Sequence, residues 1–146
     1  MAITTNAITN SFKEDLLQGV QTFVAGGGDT FKLALYDSSA TIGADTTSYA
    51  VGISGQVPDS GQYAAGGGAL VNALVSVNGT TAFVTFDNLS FTGVTLTAAG
   101  ALIYNTSETN KAVAVLDFGG NKTATAGTFT IQFPDFNSTS AILRIS

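Results

Sequence analysis

The sequence contains no cysteine, no histidine and no tryptophan among its 146 residues. A chain without cysteine has no disulfides, no thiolate metal ligands and no cysteine nucleophile. A chain without histidine lacks the commonest general base, any Ser-His-Asp arrangement and the usual nitrogen ligand of zinc. Most of the familiar catalytic and metal-binding chemistries are therefore excluded by composition.

Charge is also scarce. Charged residues make up 10% of the chain, whereas typical soluble chains have about 25%. The net charge is −5, and the positive residues are scattered, being Lys13, Lys32, Lys111, Lys122 and Arg144. Because phosphate backbones require clustered Lys and Arg, we expect no nucleic-acid partner. The low charge indicates that neighbouring subunits cover much of the surface, although a soluble β-domain coated with Thr and Ser has a similar composition.

Long apolar runs are absent as well. No run approaches the ~18 apolar residues of a membrane-spanning helix, so we expect no membrane association. The opening residues, MAITTNAITNSF, have neither the basic region nor the apolar region of a secretory signal. These features predict a chain that is synthesised in a cytoplasm.

The first feature that is present is a charged segment that predicts one helix over residues 11–23. Ser11 followed by Glu14 fits a capping box, and Glu14 and Asp15 suit the positive end of a helix dipole. Gly19 weakens the interior by ~1 kcal/mol relative to Ala, so the helix needs tertiary support. We expect the three glycines at 26–28 to end it.

The apolar residues of this segment are spaced four, four and three apart, which indicates one stripe on the helix: Phe12, Leu16, Val20 and Phe23. Packing of the stripe on its own domain is the favoured prediction, and docking on another subunit is the alternative. The uncharged residues 1–10 before it predict an N-terminal arm, either loose or laid on a partner.

The remainder of residues 11–146 predicts one antiparallel β domain with seven or eight strands, a β-sandwich or jelly-roll-like fold. Asn78-Gly79 predicts a type I′ hairpin turn that pairs Val77 with Thr80 and Leu74 with Phe83. One face of this hairpin is expected in the core, and Leu74 and Phe83 on the other form a surface patch or an interface. The other strands are predicted at 30–36, 98–104, 111–118, 127–133 and 141–145.

Residues 37–68 are rich in Ser, Gly, Ala and Thr and show only a weak strand signal near Tyr49. A structureless segment of this length is unusual within a compact domain. We therefore expect it to lie along the surface or on a neighbouring molecule.

The ten acidic residues lie mostly in turns, where Asp is a common turn former. A glycosidase needs only two carboxylates at a fixed separation, so that class remains a weaker alternative. The tripeptide Asp117-Phe118-Gly119 lacks the other kinase motifs, and Asp37, Asp45 and Asp59 lack the spacing of a calcium loop. The prediction is a protein that is not an enzyme and that binds no cofactor and no metal.

Several segments together resemble small virion proteins of tailed bacteriophages, and they cover most of the chain: SFKEDLLQGV, DTFKLALYDSSATIG, YAAGGGAL, GALIYN, NKAVAVLDFGG, GTFTIQFP and AILRI. Within that group the chain is most similar to the capsid cement, or decoration, proteins. The resemblance implies a dimer or trimer on the capsid exterior that binds the major capsid protein and bridges its subunits, after synthesis in the host bacterial cytoplasm. A tail or head-fibre component that binds carbohydrate or a receptor is the alternative.

A cement protein works by burying surface against the shell, so candidate contact residues are apolar. They come from the helix stripe, the long loop and the hairpin patch: Phe12, Leu16, Val20, Phe23, Tyr49, Leu74 and Phe83.

Overall fold

The computed structural model describes residues 3, 6–24, 26–50 and 53–146. It is mainly β, with 47% of residues in strands and 6% in helix. In chain order the elements are β1 (Ala7–Ile8), α1 (Asn10–Leu17), β2 (Phe31–Tyr36), β3 (Gly68–Leu70), β4 (Leu74–Asn78), β5 (Thr81–Thr85), β6 (Leu89–Asn105), β7 (Lys111–Ile131) and β8 (Leu143–Ile145).

The strands form two antiparallel sheets. The larger sheet has the order β1-β7-β6-β2-β3, and the smaller one has the order β4-β5-β8. The prediction of an antiparallel, mainly β fold with one helix is confirmed at this level. Within the described residues, no helix has the length and apolar character required to cross a bilayer.

The strands β6 and β7 form one long hairpin where the sequence predicts separate, shorter strands. Their pairing runs from Leu89 opposite Ile131 to Asn105 opposite Lys111, with several register shifts between. Residues 118–121 form an irregularity between Asp117, which is opposite Gly100, and Lys122, which is opposite Ala98. The exposed polar residues that follow resume the pairing with β6. Thr97 and Thr123 are 2.8 Å apart between their Oγ1 atoms. Interruption of the hydrophobic pattern therefore does not interrupt the strand.

Helix α1 is shorter than predicted and begins earlier. Thr9 is its N-cap and accepts a hydrogen bond from the Phe12 N–H at 3.3 Å, so the predicted capping box at Ser11 is wrong. The helix ends at Leu17, because Gly19 takes a left-handed φ of +70°. The Val20 N–H then donates to the Asp15 carbonyl at 2.9 Å, as in a Schellman motif. The prediction of helix through Phe23 is wrong, and the stripe continues on a loop.

The acidic residues of α1 do not serve the helix dipole, since the first turn holds no acidic residue. Glu14 lies in solvent, whereas Asp15 is 5% exposed. The Asp15 carboxylate lies 3.1 Å from Lys111 Nζ and accepts a hydrogen bond from Gln21 at 2.8 Å. The charge therefore anchors the helix to the large sheet.

Part of the predicted arm joins the molecule's own sheet. Ala7 pairs with Val115 and Ile8 pairs with Ala114, which makes β1 an edge strand. Asn6 accepts a hydrogen bond from the Asp117 N–H at 2.6 Å. Within the predicted arm, residues 1, 2, 4 and 5 lie outside the described residues.

The two faces of the large sheet are covered differently. On one face Leu33, Ile103 and Val113 belong to the main core, which also takes in Leu143 of the small sheet. On the other face a second cluster contains Ala34, Tyr36, Leu102 and Tyr104, together with residues of the long loop.

The expectation that residues 37–68 lie along the surface is wrong for the part that completes this second cluster. Ala40, Ile42 and Tyr49 are buried there, and the Tyr49 ring stacks on Tyr104 with centroids 4.4 Å apart. The loop also continues the pairing of β2, because the Val57 N–H donates to the Leu35 carbonyl at 3.1 Å. The small residues of this segment therefore allow it to pack closely on the sheet.

The hairpin β4–β5 is present, but its register differs from the prediction by two residues. Asn78 pairs with Thr81 and Ser76 with Phe83, so Gly79 and Thr80 form the loop. Only the first loop residue, Gly79, has a positive φ, whereas a type I′ turn needs it at both positions. A shift of two residues keeps every side chain on its predicted face.

Candidate interaction surface

An open apolar groove lies between the small sheet and the segment that contains α1. Its volume is about 550 Å³. Among the described residues its lining holds one polar side chain, Thr22, and no charged one: Ile8, Phe12, Leu16, Thr22, Phe23, Val24, Ala73, Leu74, Val75, Ala82, Phe83, Val84, Leu143 and Ile145. Grooves of this size and character are typical of binding sites.

The sheet side of the groove follows from the strand register. Val75 is opposite Val84 in the β4–β5 ladder, and Val84 is opposite Leu143 in the β5–β8 ladder. Directly opposed residues point to the same face of a sheet, so these three side chains form one row. Leu143 is 3% exposed and Val75 is 55% exposed, so the row runs from the core to the open edge.

The helix side of the groove is held by aromatic packing. The rings of Phe12 and Phe23 meet edge to face with centroids 5.8 Å apart. Phe23 also stacks on Phe31 of β2 at 4.6 Å, which ties the groove floor to the large sheet. The floor of the groove is therefore continuous with the main core.

The rim carries large apolar side chains that are exposed to solvent. Val24 is 66% exposed, Val77 is 66% exposed and Ile145 is 54% exposed. Leu17, next to Leu16 in the helix, is 91% exposed. Contiguous exposed apolar groups of this kind mark interaction surfaces in folded proteins.

Five of the seven predicted contact residues line this groove, namely Phe12, Leu16, Phe23, Leu74 and Phe83. Val20 does not, because the helix ends before it and the chain turns at Gly19. Tyr49 is 7% exposed and packs in the second core cluster. Phe12, Phe23 and Phe83 are similarly buried, at 2%, 9% and 6% exposed, so the predicted residues of the groove that offer accessible area are Leu16 and Leu74. Phe83 is itself covered by Phe136, whose ring meets it edge to face at 4.9 Å.

Sequence reasoning missed the part of the groove formed by Val24, Val75 and Ile145. Val75 belongs to the face predicted to be in the core, and that orientation is correct. The face is left partly open because α1 is short and the small sheet has three strands. Alternation along the predicted strand 141–145 indicates which face of the sheet carries Ile145. It does not indicate that no other element covers that side chain.

The acidic loop residues support the backbone. Asp37 accepts a hydrogen bond from the Ser39 N–H at 2.8 Å, and Asp59 accepts one from the Ala65 N–H at 2.6 Å. Asp45 accepts one from the Asn10 side chain at 2.9 Å. Among the residues with described coordinates, no group of three or more acidic residues converges in a way that could hold a metal ion.

The four tyrosines lie inside the molecule. Burial raises the pKa of Tyr63 and of Tyr104 to about 12, and it also raises the pKa of Tyr36 and Tyr49. Tyr63 accepts a hydrogen bond from the Leu35 N–H at 2.8 Å, and Tyr104 donates one to the Gly66 carbonyl. These hydroxyls fasten the long loop to the sheet.

Comparison with known proteins found no matching family model, no similar curated protein and no similar solved structure.

Proposed function

We propose that this chain is a structural virion protein of a tailed phage, a cement or decoration protein that binds the outer capsid shell. The observation that supports the proposal is the uncharged apolar groove with its exposed rim. In this role the chain adopts a β-sandwich of jelly-roll-like form, acts without enzymatic chemistry and works as a homo-oligomer. The resemblance of its strand and turn segments to phage virion proteins supports the same assignment.

The groove suits a partner that offers an apolar segment, such as part of the major capsid protein between neighbouring capsomers. Each Å² of apolar surface removed from water contributes about 25 cal/mol. A single contact of modest area is weak, but many copies on one shell act together. Reinforcement of a shell therefore requires only a repeated apolar contact.

The alternative, a fibre or tail component that binds carbohydrate, has less support. Sugar-binding sites use exposed aromatic faces, and the four tyrosines here are all buried. Among the described residues, Phe136 is the exposed phenylalanine, at 40%, and it packs on Phe83. A glycan array separates the two functions, since a cement protein shows no specific binding to it.

The decisive experiment adds purified protein to expanded heads of the phage that encodes the chain. We expect co-sedimentation with the heads and a higher temperature of head disruption. The substitution Val24→Asp places a charge on the groove rim and should abolish both effects. Thr125→Asp adds the same charge at an exposed position of β7, away from the groove, and should leave both unchanged.

Two results would overturn the proposal. One is the absence of binding to expanded heads, and the other is immunogold labelling that finds the protein only in tails. Equal loss of binding in both aspartate variants would indicate a general effect of charge. It would contradict the assignment of the groove as the surface that binds the shell.

A further inference from the structure

The four edge strands of the two sheets differ in how well they are protected. In the large sheet the edges are β1 and β3, with two and three residues. In the small sheet one edge is β8, which has three residues and carries Arg144. The other is β4, with five residues, LVSVN.

Strand β4 lacks every common device that protects an edge. Native proteins use short strands, charged side chains, proline or bulges to stop an edge from pairing with another chain. Leu74–Asn78 contains no charge and no proline, and its ladder with β5 has no register shift. It is the one long, uncharged edge among the described residues.

The direction of the free backbone groups follows from the hairpin. In a hairpin with a two-residue loop, the residues that flank the loop, here Asn78 and Thr81, exchange both backbone hydrogen bonds. Alternation along an antiparallel ladder then directs the N–H and C=O groups of Ser76 toward β5. The same groups of Val75 and Val77 point away from the sheet.

We propose that β4 pairs with β4 of a second copy of this chain, antiparallel and about a two-fold axis at Ser76. In that register Val75 of each copy is opposite Val77 of the other, and these pairs exchange the outward backbone hydrogen bonds. The two small sheets become one six-stranded sheet. The interface is isologous, so each valine contact occurs twice.

The side chains of the edge fit a second copy. Val75 and Val77 are 55% and 66% exposed and lie on one face of the strand, so valine meets valine across the axis. The ladder partners of β4, Thr81–Thr85, are also uncharged. Two copies of an acidic chain with net charge −5 repel each other overall. The β4 edge itself contains no charged residue, so the pairing places no like charges directly opposite each other. We expect the pairing to tighten with added salt.

The pairing also brings the two grooves side by side, because Leu74 and Val75 belong to both the groove and the edge. A five-residue strand buries less than the ~800 Å² per partner of a standard interface. We therefore expect a monomer–dimer equilibrium in the micromolar range in dilute solution, with pairing favoured where many copies are concentrated on one surface.

The inference specifies the homo-oligomer of the proposed function. It rests on that function only for the role of the dimer on a capsid shell. Sedimentation equilibrium on the purified chain tests it without capsids. We expect a reversible dimer, weakened about 100-fold or more by Val77→Lys, which enters the interface twice. Thr125→Lys introduces the same charge at an exposed position of β7, away from the small sheet and the groove, and should leave dimerisation unchanged.

A crosslink tests the register and does not depend on Val77→Lys folding well. Opposed residues in a pair without backbone hydrogen bonds have Cα atoms about 4.5 Å apart, a distance that a disulfide spans. The chain has no cysteine, so Ser76→Cys creates a single thiol at the axis. Mild oxidation should convert this variant to a covalent dimer on a non-reducing gel. The control Ser90→Cys, exposed on β6, should remain a monomer.

Three results would overturn the inference: a monomer at every concentration up to the millimolar range, a trimer, or crosslinking that is no faster for Ser76→Cys than for Ser90→Cys. None of them bears on whether the chain binds expanded heads. Binding to heads can likewise fail while the dimer forms.

Discussion

Lys111 Nζ lies 3.1 Å from Asp15 Oδ1, and this ion pair joins helix α1 to the first residue of β7. Asp15 also accepts a hydrogen bond from Gln21 at 2.8 Å. Gln21 in turn accepts one from Asn105 at 3.2 Å, and Asn105 donates another to Asp29 at 2.8 Å. This network holds both the helix and the loop after it, which together form one wall of the groove.

Loss of the charge at Asp15 should destabilise the fold. Asp15→Asn keeps the shape but removes the ion pair from a buried position, and we expect the free energy of unfolding to fall by about 1–2 kcal/mol. Lys111→Met should cost more, because it leaves the buried Asp15 carboxylate without a counter-charge, whereas in Asp15→Asn the Lys111 ammonium, whose side chain is 38% exposed, remains hydrated. Urea denaturation of both variants and of the double variant measures the coupling. Equal and additive effects would show that the two residues act independently.

Gly67 holds a position that no other residue can occupy. Its φ is +87°, and a Cβ there would lie 1.7 Å from the carbonyl oxygen of Leu33, in the backbone of β2. Gly67→Ala should therefore cost more than about 3 kcal/mol or prevent folding.

Gly43→Ala is the matched control, because a Cβ at Gly43 meets nothing within 4 Å. Thermal unfolding should detect a change of less than about 0.5 kcal/mol for that variant. A mild effect of Gly67→Ala would mean that the loop moves away from β2 easily.

The hydroxyl of Tyr36 is buried and has no hydrogen-bond partner among the described residues. A buried polar group without a partner is unfavourable, so Tyr36→Phe should leave stability unchanged or raise it by up to ~1 kcal/mol. Tyr104→Phe removes a hydroxyl that donates to the Gly66 carbonyl and should lower stability by ~1 kcal/mol. Chemical denaturation should show a loss of stability for Tyr104→Phe and no loss for Tyr36→Phe.

Stability should fall in alkaline solution. The pKa of Tyr63 and of Tyr104 is about 12 in the folded chain, whereas tyrosine in an unfolded chain ionises near ~10. Between these values the folded state holds protons that the unfolded state has lost, so the free energy of unfolding decreases as pH rises. The slope is at most about 1.4 kcal/mol per pH unit for each tyrosine, and the loss is complete above the folded pKa.

Denaturation curves between pH 9 and 12 measure this slope. Tyr104→Phe should make it shallower, whatever its effect on stability at neutral pH. An unchanged slope would contradict a role for Tyr104 in the alkaline transition.

Much of the β architecture was predictable from local patterns. Alternation at Phe31, Leu33 and Leu35 identifies β2 with its core face, and Gly79 marks the β4–β5 turn within one residue. The continuity of β7 was not predictable, because its polar residues from Lys122 onward are supported by pairing with β6 across the hairpin. The end of α1 was predictable only in part. The sequence marks Gly19 as a weak point of the helix, and the structure shows that its left-handed conformation ends the helix there.

The sequence by itself determined the class of this protein: an antiparallel β fold with one helix, without cysteine or histidine. These features depend on local periodicity and composition. Only the tertiary structure decided that Val75, Val84 and Leu143 line one row and that this row meets Phe12 and Phe23 across an open groove. Contacts between residues so distant in the chain depend on strand register and on how closely two sheets and a helix approach, and local patterns specify neither.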